Sequence, residues 1–312
     1  MSYEFAAIAR KASVDGTITA DEVLALRQSG WADGRMDQEE AEIIFATQRA
    51  IDAPGTEWTD FFVEAIQNFV LNGSDPKGFA SAEESQWLIG EIEKDGRVCS
   101  MTELELLVRI IERAQNVAET LKTYTLGVLE KEVLEGHGPT RDGGKLDDSR
   151  VTETEAKLIR RVIFGSGGDR PAAVSKREAE MLFRVKDASR GADNAPDFKR
   201  LFVQGVGNYL MGFASASGQI SRERRMELDK FVADNSSSVG GFIGRMAKSA
   251  PTAFGVVFGK RDAPSREEQA AEDAEVTGIE QEWLDAQIAA NGEVDEYDQA
   301  LLEFIAEETG EA

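Results

Sequence analysis

A short pattern recurs along this chain and limits what it can fold into: a glycine turn, one apolar residue, a cap, and then a helix. It occurs as Asp15-Gly16-Thr17-Ile18-Thr19-Ala20-Asp21-Glu22 and as Asp33-Gly34-Arg35-Met36-Asp37-Gln38-Glu39-Glu40. Asp95-Gly96-Arg97-Val98 and Asn291-Gly292-Glu293-Val294 carry its opening, and degenerate copies begin at Ser81, Val151, Val174 and Ile220. Asp-Gly and Asn-Gly accept positive φ at little cost, so the chain reverses there. The apolar residue that follows (Ile18, Met36, Val98 or Val294) is expected to tuck against the core. Next comes a Ser, Thr or Asp with an acid three residues on: Thr19–Glu22, Asp37–Glu40, Ser81–Glu84, Ser100–Glu103, Thr152–Glu155, Ser175–Glu178 and Asp295–Asp298. That is the spacing of a capping box, in which two side chains satisfy the orphan N–H groups of a first helical turn. Acids there also oppose the positive end of the helix dipole.

Between these turns the apolar residues recur at helical spacing. The pattern predicts helices over 20–31 (Val23, Leu26 inward), 39–51 (Ala41, Ile44, Phe45) and 58–71 (Phe61, Phe62, Ala65, Ile66, Phe69, Val70). It predicts further helices over 83–94 (Trp87, Leu88, Ile92), 102–115 (Leu104, Leu107, Val108, Ile111) and 117–134. The 58–71 face is wide, which marks a central, largely buried helix. No run alternates as a half-buried strand does, so the expected fold class is all-α.

Residues 135–150 read as a Gly/Pro/Asp linker, after which the first half begins again. Glu40-Ala41-Glu42-Ile43-Ile44-Phe45 pairs with Glu178-Ala179-Glu180-Met181-Leu182-Phe183. Phe61-Phe62-Val63 and Asn68-Phe69-Val70-Leu71 pair with Leu201-Phe202-Val203 and Asn208-Tyr209-Leu210-Met211. Trp87-Leu88 pairs with Trp283-Leu284. Order, spacing and character agree over four blocks, which is the signature of a tandem duplication. The expected units are 1–134 and 151–312. The offset between paired positions is 140 at Phe61 and Leu201 but 196 at Trp87 and Trp283, so about 56 more residues lie between Met211 and Trp283. This insert, about 212–275, interrupts the second unit. Within it, 236–261 holds Arg245, Lys248, Lys260 and Arg261 and no acid. Phe242, Ile243, Arg245, Met246, Lys248 and Phe254 there form a candidate patch for a partner or an anionic membrane surface.

The rest of the chain is strongly acidic. Its 312 residues carry 58 acids against 35 bases, a formal net charge of −23. Such a field repels nucleic acid and attracts cations and basic partners. With one cysteine, Cys99, and one histidine, His137, the chain cannot build a disulfide framework or a Cys/His zinc site. Neither a secretory leader nor an apolar run of about 18 residues is present, so the expected location is cytoplasmic.

The stretches Trp31-Ala32-Asp33-Gly34-Arg35-Met36-Asp37-Gln38-Glu39-Glu40 and Asp95-Gly96-Arg97-Val98-Cys99-Ser100 carry a further signal. Reiterated between amphipathic helices in an acidic chain, this turn resembles that of the TerB-like tellurite-resistance superfamily. The resemblance covers most of each half but not the insert. It implies two tandem TerB-like helical bundles, divalent-cation binding through acidic turn residues, and a role in stress-response or membrane-associated assemblies. By position, Asp15, Glu22, Asp33, Asp37, Glu40 and Asp95 would inherit the metal role; the second half departs from the pattern, with Asn291 in place of Asp.

The same turn is similar to the second half of an EF-hand loop, but the ligand positions do not fill. Lys11 stands at the first ligand around Gly16, Trp31 at the third position around Gly34, and Thr102 at the bidentate end around Gly96. Three functional readings follow. The first is a non-enzymatic interaction scaffold with a protein partner, responsive to a divalent cation such as Ca²⁺ or Mn²⁺. The second is a dedicated divalent-metal sensor with degenerate EF-hand-like turns. The third is a hydrolase with carboxylate-only metal ligands; no histidine is to spare for a nucleophile–base pair.

Overall fold

The computed structural model describes residues 3–30, 36–96, 98, 100–141, 150–165, 173–210 and 278–309. The protein is mostly helical: twelve α-helices occur among the described residues, with almost no strand. The chain divides into two compact units, 1–125 and 126–312.

The first unit opens with α1 (Tyr3–Asp15), a helix that the turn pattern does not announce. Then follow α2 (Ala20–Gly30), α3 (Gln38–Ala50), α4 (Thr56–Asn72), α5 (Ala82–Ile92) with a 3₁₀ turn at Glu93–Asp95, and α6 (Met101–Arg113). Helix α7 (Glu119–Glu135) begins in this unit, and the division between the units falls inside it. The wide apolar face of α4 places it against α2, α3, α5 and α6. Phe61, Phe62, Ala65 and Ile66 are fully buried there. Two two-residue strands, β1 (Phe79–Ala80) and β2 (Asn116–Val117), pair in parallel and tie together the loops that follow α4 and α6.

The second unit holds α8 (Glu153–Ile163), α9 (Lys176–Ala188), α10 (Pro196–Leu210), α11 (Gly278–Ala289) and α12 (Glu296–Thr309). Helix α10 is its centre and packs on α8, α9 and α12. Two glycines allow the close approach. A Cβ on Gly205 would lie 2.5 Å from Leu182 of α9, and one on Gly207 would lie 2.4 Å from Phe304 of α12.

Each unit has an aromatic cluster at its core. In the first, Phe45 meets Phe62 and Trp87 edge-on at 5.2 and 5.9 Å between ring centroids, and Trp87 meets Phe69 at 4.9 Å. In the second, Phe183 meets Phe202 and Trp283 at 5.0 and 5.7 Å, and Trp283 meets Tyr209 at 4.8 Å. These are the positions that pair when the halves are aligned in sequence. Edge-to-face pairs of this kind add about 0.5–1.5 kcal/mol each beyond the area they bury.

The turns behave locally as their chemistry requires. Gly16, Gly96 and Gly292 have φ of 66°, 83° and 79°. Met36 and Val98 are buried and Ile18 is half-buried, whereas Val294 is 53% exposed, contrary to the expectation that it tucks inward. Neighbouring residues in extended backbone point to opposite sides. At Met36–Asp37 the apolar residue faces in and the cap faces out; at Val294–Asp295 the cap faces in, toward Lys186, and the valine faces out.

Candidate functional site

Three of the acidic turn residues, Glu22, Asp37 and Glu40, are engaged at helix N-termini. Glu22 accepts hydrogen bonds from the Thr19 backbone N–H (3.0 Å) and hydroxyl (2.8 Å), and Thr19 in return caps the Glu22 N–H. Glu22 also pairs with Lys11 at 2.6 Å. The Lys11 hydrogen bond, followed by those from Thr19, lowers its carboxyl to a pKa of about 2. Asp37 and Glu40 form a reciprocal capping box on α3, with Glu40 buried. Burial opposes the charge of Asp37, but the backbone N–H groups of Glu40 and Glu39 and the amino terminus together outweigh it and hold the carboxyl below its ordinary value. Asp95 is exposed in the 3₁₀ turn after α5. Asp15 ends α1, its side chain lying outside the described residues, as does all of Asp33. Among the described residues no three His, Cys, Asp or Glu side chains form a group able to hold a metal ion. The patch residues Phe242, Ile243, Arg245, Met246, Lys248 and Phe254 also lie outside the described residues.

Reciprocal boxes also start α5 (Ser81/Glu84), α6 (Ser100/Glu103), α8 (Thr152/Glu155) and α9 (Ser175/Glu178). At α12, Asp295 accepts from the Asp298 N–H and Asp298 accepts from the Asp295 N–H.

Two buried polar clusters, both in the second unit, were not singled out by the sequence patterns. The first centres on Lys186 of α9, which is 1% exposed. Its ammonium donates to both carboxylate oxygens of Asp298 (2.8 and 3.1 Å) and lies 3.1 Å from Asp187 and 3.2 Å from Asp295. It also sits over the Phe183 and Phe202 rings, at 5.3 and 5.8 Å from their centroids. Burial works against the charged amine, but Asp298 and then Asp187 outweigh it, so the Lys186 pKa is raised. Burial raises Asp298, while Asp295 is lowered because its backbone bonds and Lys186 overcome its own burial. Asn291 donates to Asp187 at 2.7 Å and ties the 291–295 turn to the same cluster.

In the first unit, the stretch that aligns in sequence with this one carries neutral groups. Gln48 aligns with Lys186; its carbonyl accepts from the Trp58 indole N–H at 2.6 Å, and its amide lies 3.5 Å from the cap hydroxyl of Ser100. Where the first unit has Gln48, Trp58 and Ser100, the second has Lys186, Phe198 and Asp295. A lysine on the buried stripe of α9, three residues after Phe183 and four after Leu182, was the available signal.

The second cluster joins Glu132 of α7, Thr140 and Arg141 of a 3₁₀ turn (Pro139–Arg141), and Glu155 of α8. Arg141 donates to both carboxylate oxygens of Glu155, at 2.8 and 3.2 Å, and both side chains are fully buried. Nothing in the composition of the 135–150 stretch marks Arg141 as a core residue. His137, nearby, is half-exposed beside Glu135.

Among the described residues no helix is long and apolar enough to cross a membrane. Comparison of the chain with family models, with curated proteins and with solved structures gave no match.

Proposed function

We propose that the protein is a non-enzymatic, TerB-like interaction scaffold of two tandem helical units. It acts in the cytoplasm, in a stress-response or membrane-associated assembly, and its acidic surface takes up divalent cations or a basic partner. The observation that carries this reading is where the acids are used. Glu22, Asp37 and Glu40 satisfy helix N-termini, so the first unit builds a rigid frame from the residues that the resemblance assigns to metal. The remaining charge, within a net −23, is left for surface recognition. The two aromatic clusters at paired positions favour the tandem reading.

Thermal unfolding of the full chain with EDTA, Mg²⁺, Ca²⁺, Mn²⁺ or Zn²⁺ at matched ionic strength tests the cation part. An ion at about 100 times its Kd, bound only by the folded state, adds about 2.7 kcal/mol. A shift of that size for one ion, lost in Asp15→Ala or Asp33→Ala, supports cation response. Equal small shifts for every divalent ion mean screening alone and overturn it. Co-sedimentation with anionic vesicles, comparing the full chain with a 236–261 deletion, tests the membrane contact. Equal retention of both removes that contact.

A further inference from the structure

In the second cluster the Thr140 hydroxyl oxygen lies 2.5 Å from Glu132 Oε2 and 3.0 Å from Glu155 Oε1. A hydroxyl has one proton and can donate to one of these oxygens only. Two ionised carboxylates would therefore leave one of the two short contacts without a proton. Glu155 has its counter-ion in Arg141 and further bonds from the Thr152 N–H and hydroxyl. Glu132 has no such cation: its Oε2 receives the Thr140 N–H at 3.2 Å, and its Oε1 is buried without a hydrogen-bond partner. The residue is 4% exposed. Gly138, at φ 151°, closes over it so tightly that a Cβ there would come within 2.3 Å of Glu132 Cγ.

We infer that Glu132 holds a proton in the folded protein. It donates this proton to Thr140, which donates to Glu155, and the shared proton fastens the 138–141 turn to α7 and α8. The electrostatics agree with the geometry. Burial, the largest effect, raises the Glu132 carboxyl above its ordinary 4.5, and the negative charge of Glu155 adds to it; bonds that Thr140 would donate to the ionised carboxylate, and Arg141, oppose the rise. Among the described residues, the charged groups facing Glu132 are Glu155 from α8 and Arg141 from the turn. On α7 itself, Glu130 pairs with Arg184, and Glu135 with Lys131 and His137.

The sign follows from linkage. A carboxyl raised in the folded state makes folding most favourable at low pH. That advantage is lost as pH rises from the unfolded value of 4.5 through the raised folded value. Alkali therefore strips the proton, places two buried carboxylates on one hydroxyl, and loosens the turn. This device is independent of the scaffold reading above.

The test is a ¹³C titration of the glutamate carboxyls in the full chain, with Glu132→Gln identifying the Glu132 signal, alongside unfolding curves of both proteins from pH 4.5 upward. The expected Glu132 midpoint lies above 4.5, and the wild-type unfolding constant grows relative to Glu132→Gln by up to tenfold per pH unit below that midpoint. Thr140→Val keeps the shape of the side chain and removes the hydroxyl that takes the Glu132 proton and donates to Glu155; it is expected to lower the Glu132 midpoint relative to the wild type. A Glu132 midpoint at or below 4.5, or parallel unfolding curves, overturns the bound proton. A midpoint unmoved or raised by Thr140→Val overturns the relay through Thr140.

Discussion

Lys186 illustrates how one side chain sets the character of a core. A buried ammonium is tolerated because Asp298, Asp187 and Asp295 surround it and two aromatic faces lie beneath it. Breaking a buried pair costs far more than the pair contributes, because the remaining charge is left without a partner. Lys186→Met is therefore expected to destabilise the protein by about 3–5 kcal/mol. Adding Asp298→Asn should recover part of that loss, since it removes the orphaned carboxylate. Lys186→Gln, which copies the residue at Gln48, should be milder than Lys186→Met but not neutral, because Phe198 lacks the indole N–H that Trp58 gives to Gln48. Urea unfolding of the single and double variants decides this. Additive effects of Lys186→Met and Asp298→Asn would show that the two do not act as a pair.

At the scale of the element, the capping boxes and the glycine contacts act in different ways. A capping box is local: side chain and backbone lie three residues apart, so the box forms wherever the sequence provides it. The approach of α10 to its neighbours is not local. Alanine is favoured over glycine in a helix interior by about 1 kcal/mol, so propensity alone makes Gly207→Ala stabilising. Its Cβ would lie 2.4 Å from Cε1 of Phe304, a buried ring on α12 with little room to retreat. Overpacking of this kind costs about 1–3 kcal/mol and should win. Gly207→Ala is expected to lower the midpoint of thermal unfolding, as read by circular dichroism; a raised midpoint would mean that α12 moves away at little cost.

For the whole molecule, charge governs the response to solvent. A net −23 produces self-repulsion that salt screens, since the Debye length falls from about 10 Å at 0.1 M to about 3 Å at 1 M. Sodium chloride is expected to raise the thermal midpoint steadily over that range, with a neutral osmolyte as the control for excluded-volume effects. A midpoint insensitive to salt would place the compensation in the local ion pairs, of which Arg27–Glu64 and Arg184–Glu130 are examples. This salt response is also the baseline against which any ion-specific shift must be measured.

The features legible in the sequence are those whose partners lie within one helical turn. The helical class, the caps from Thr19–Glu22 to Asp295–Asp298, and the inward faces of α3, α4 and α6 depend on spacings of three and four residues, and spacing is written in the chain. The aromatic residues of the first core, Phe45, Phe62, Phe69 and Trp87, were legible as well, because they recur at helical spacing. What tertiary structure decided was the fate of polar groups brought together from distant segments. Lys186 meets Asp298 across 112 residues, and Glu132 and Glu155 share Thr140 across a stretch that reads as linker. Whether a charge at such a position is solvated or buried depends on which helix covers it, and with it the counter-ion or proton it must hold. The α1 helix and the outward turn of Val294 were settled in the same way, by packing against elements that the local pattern does not encode.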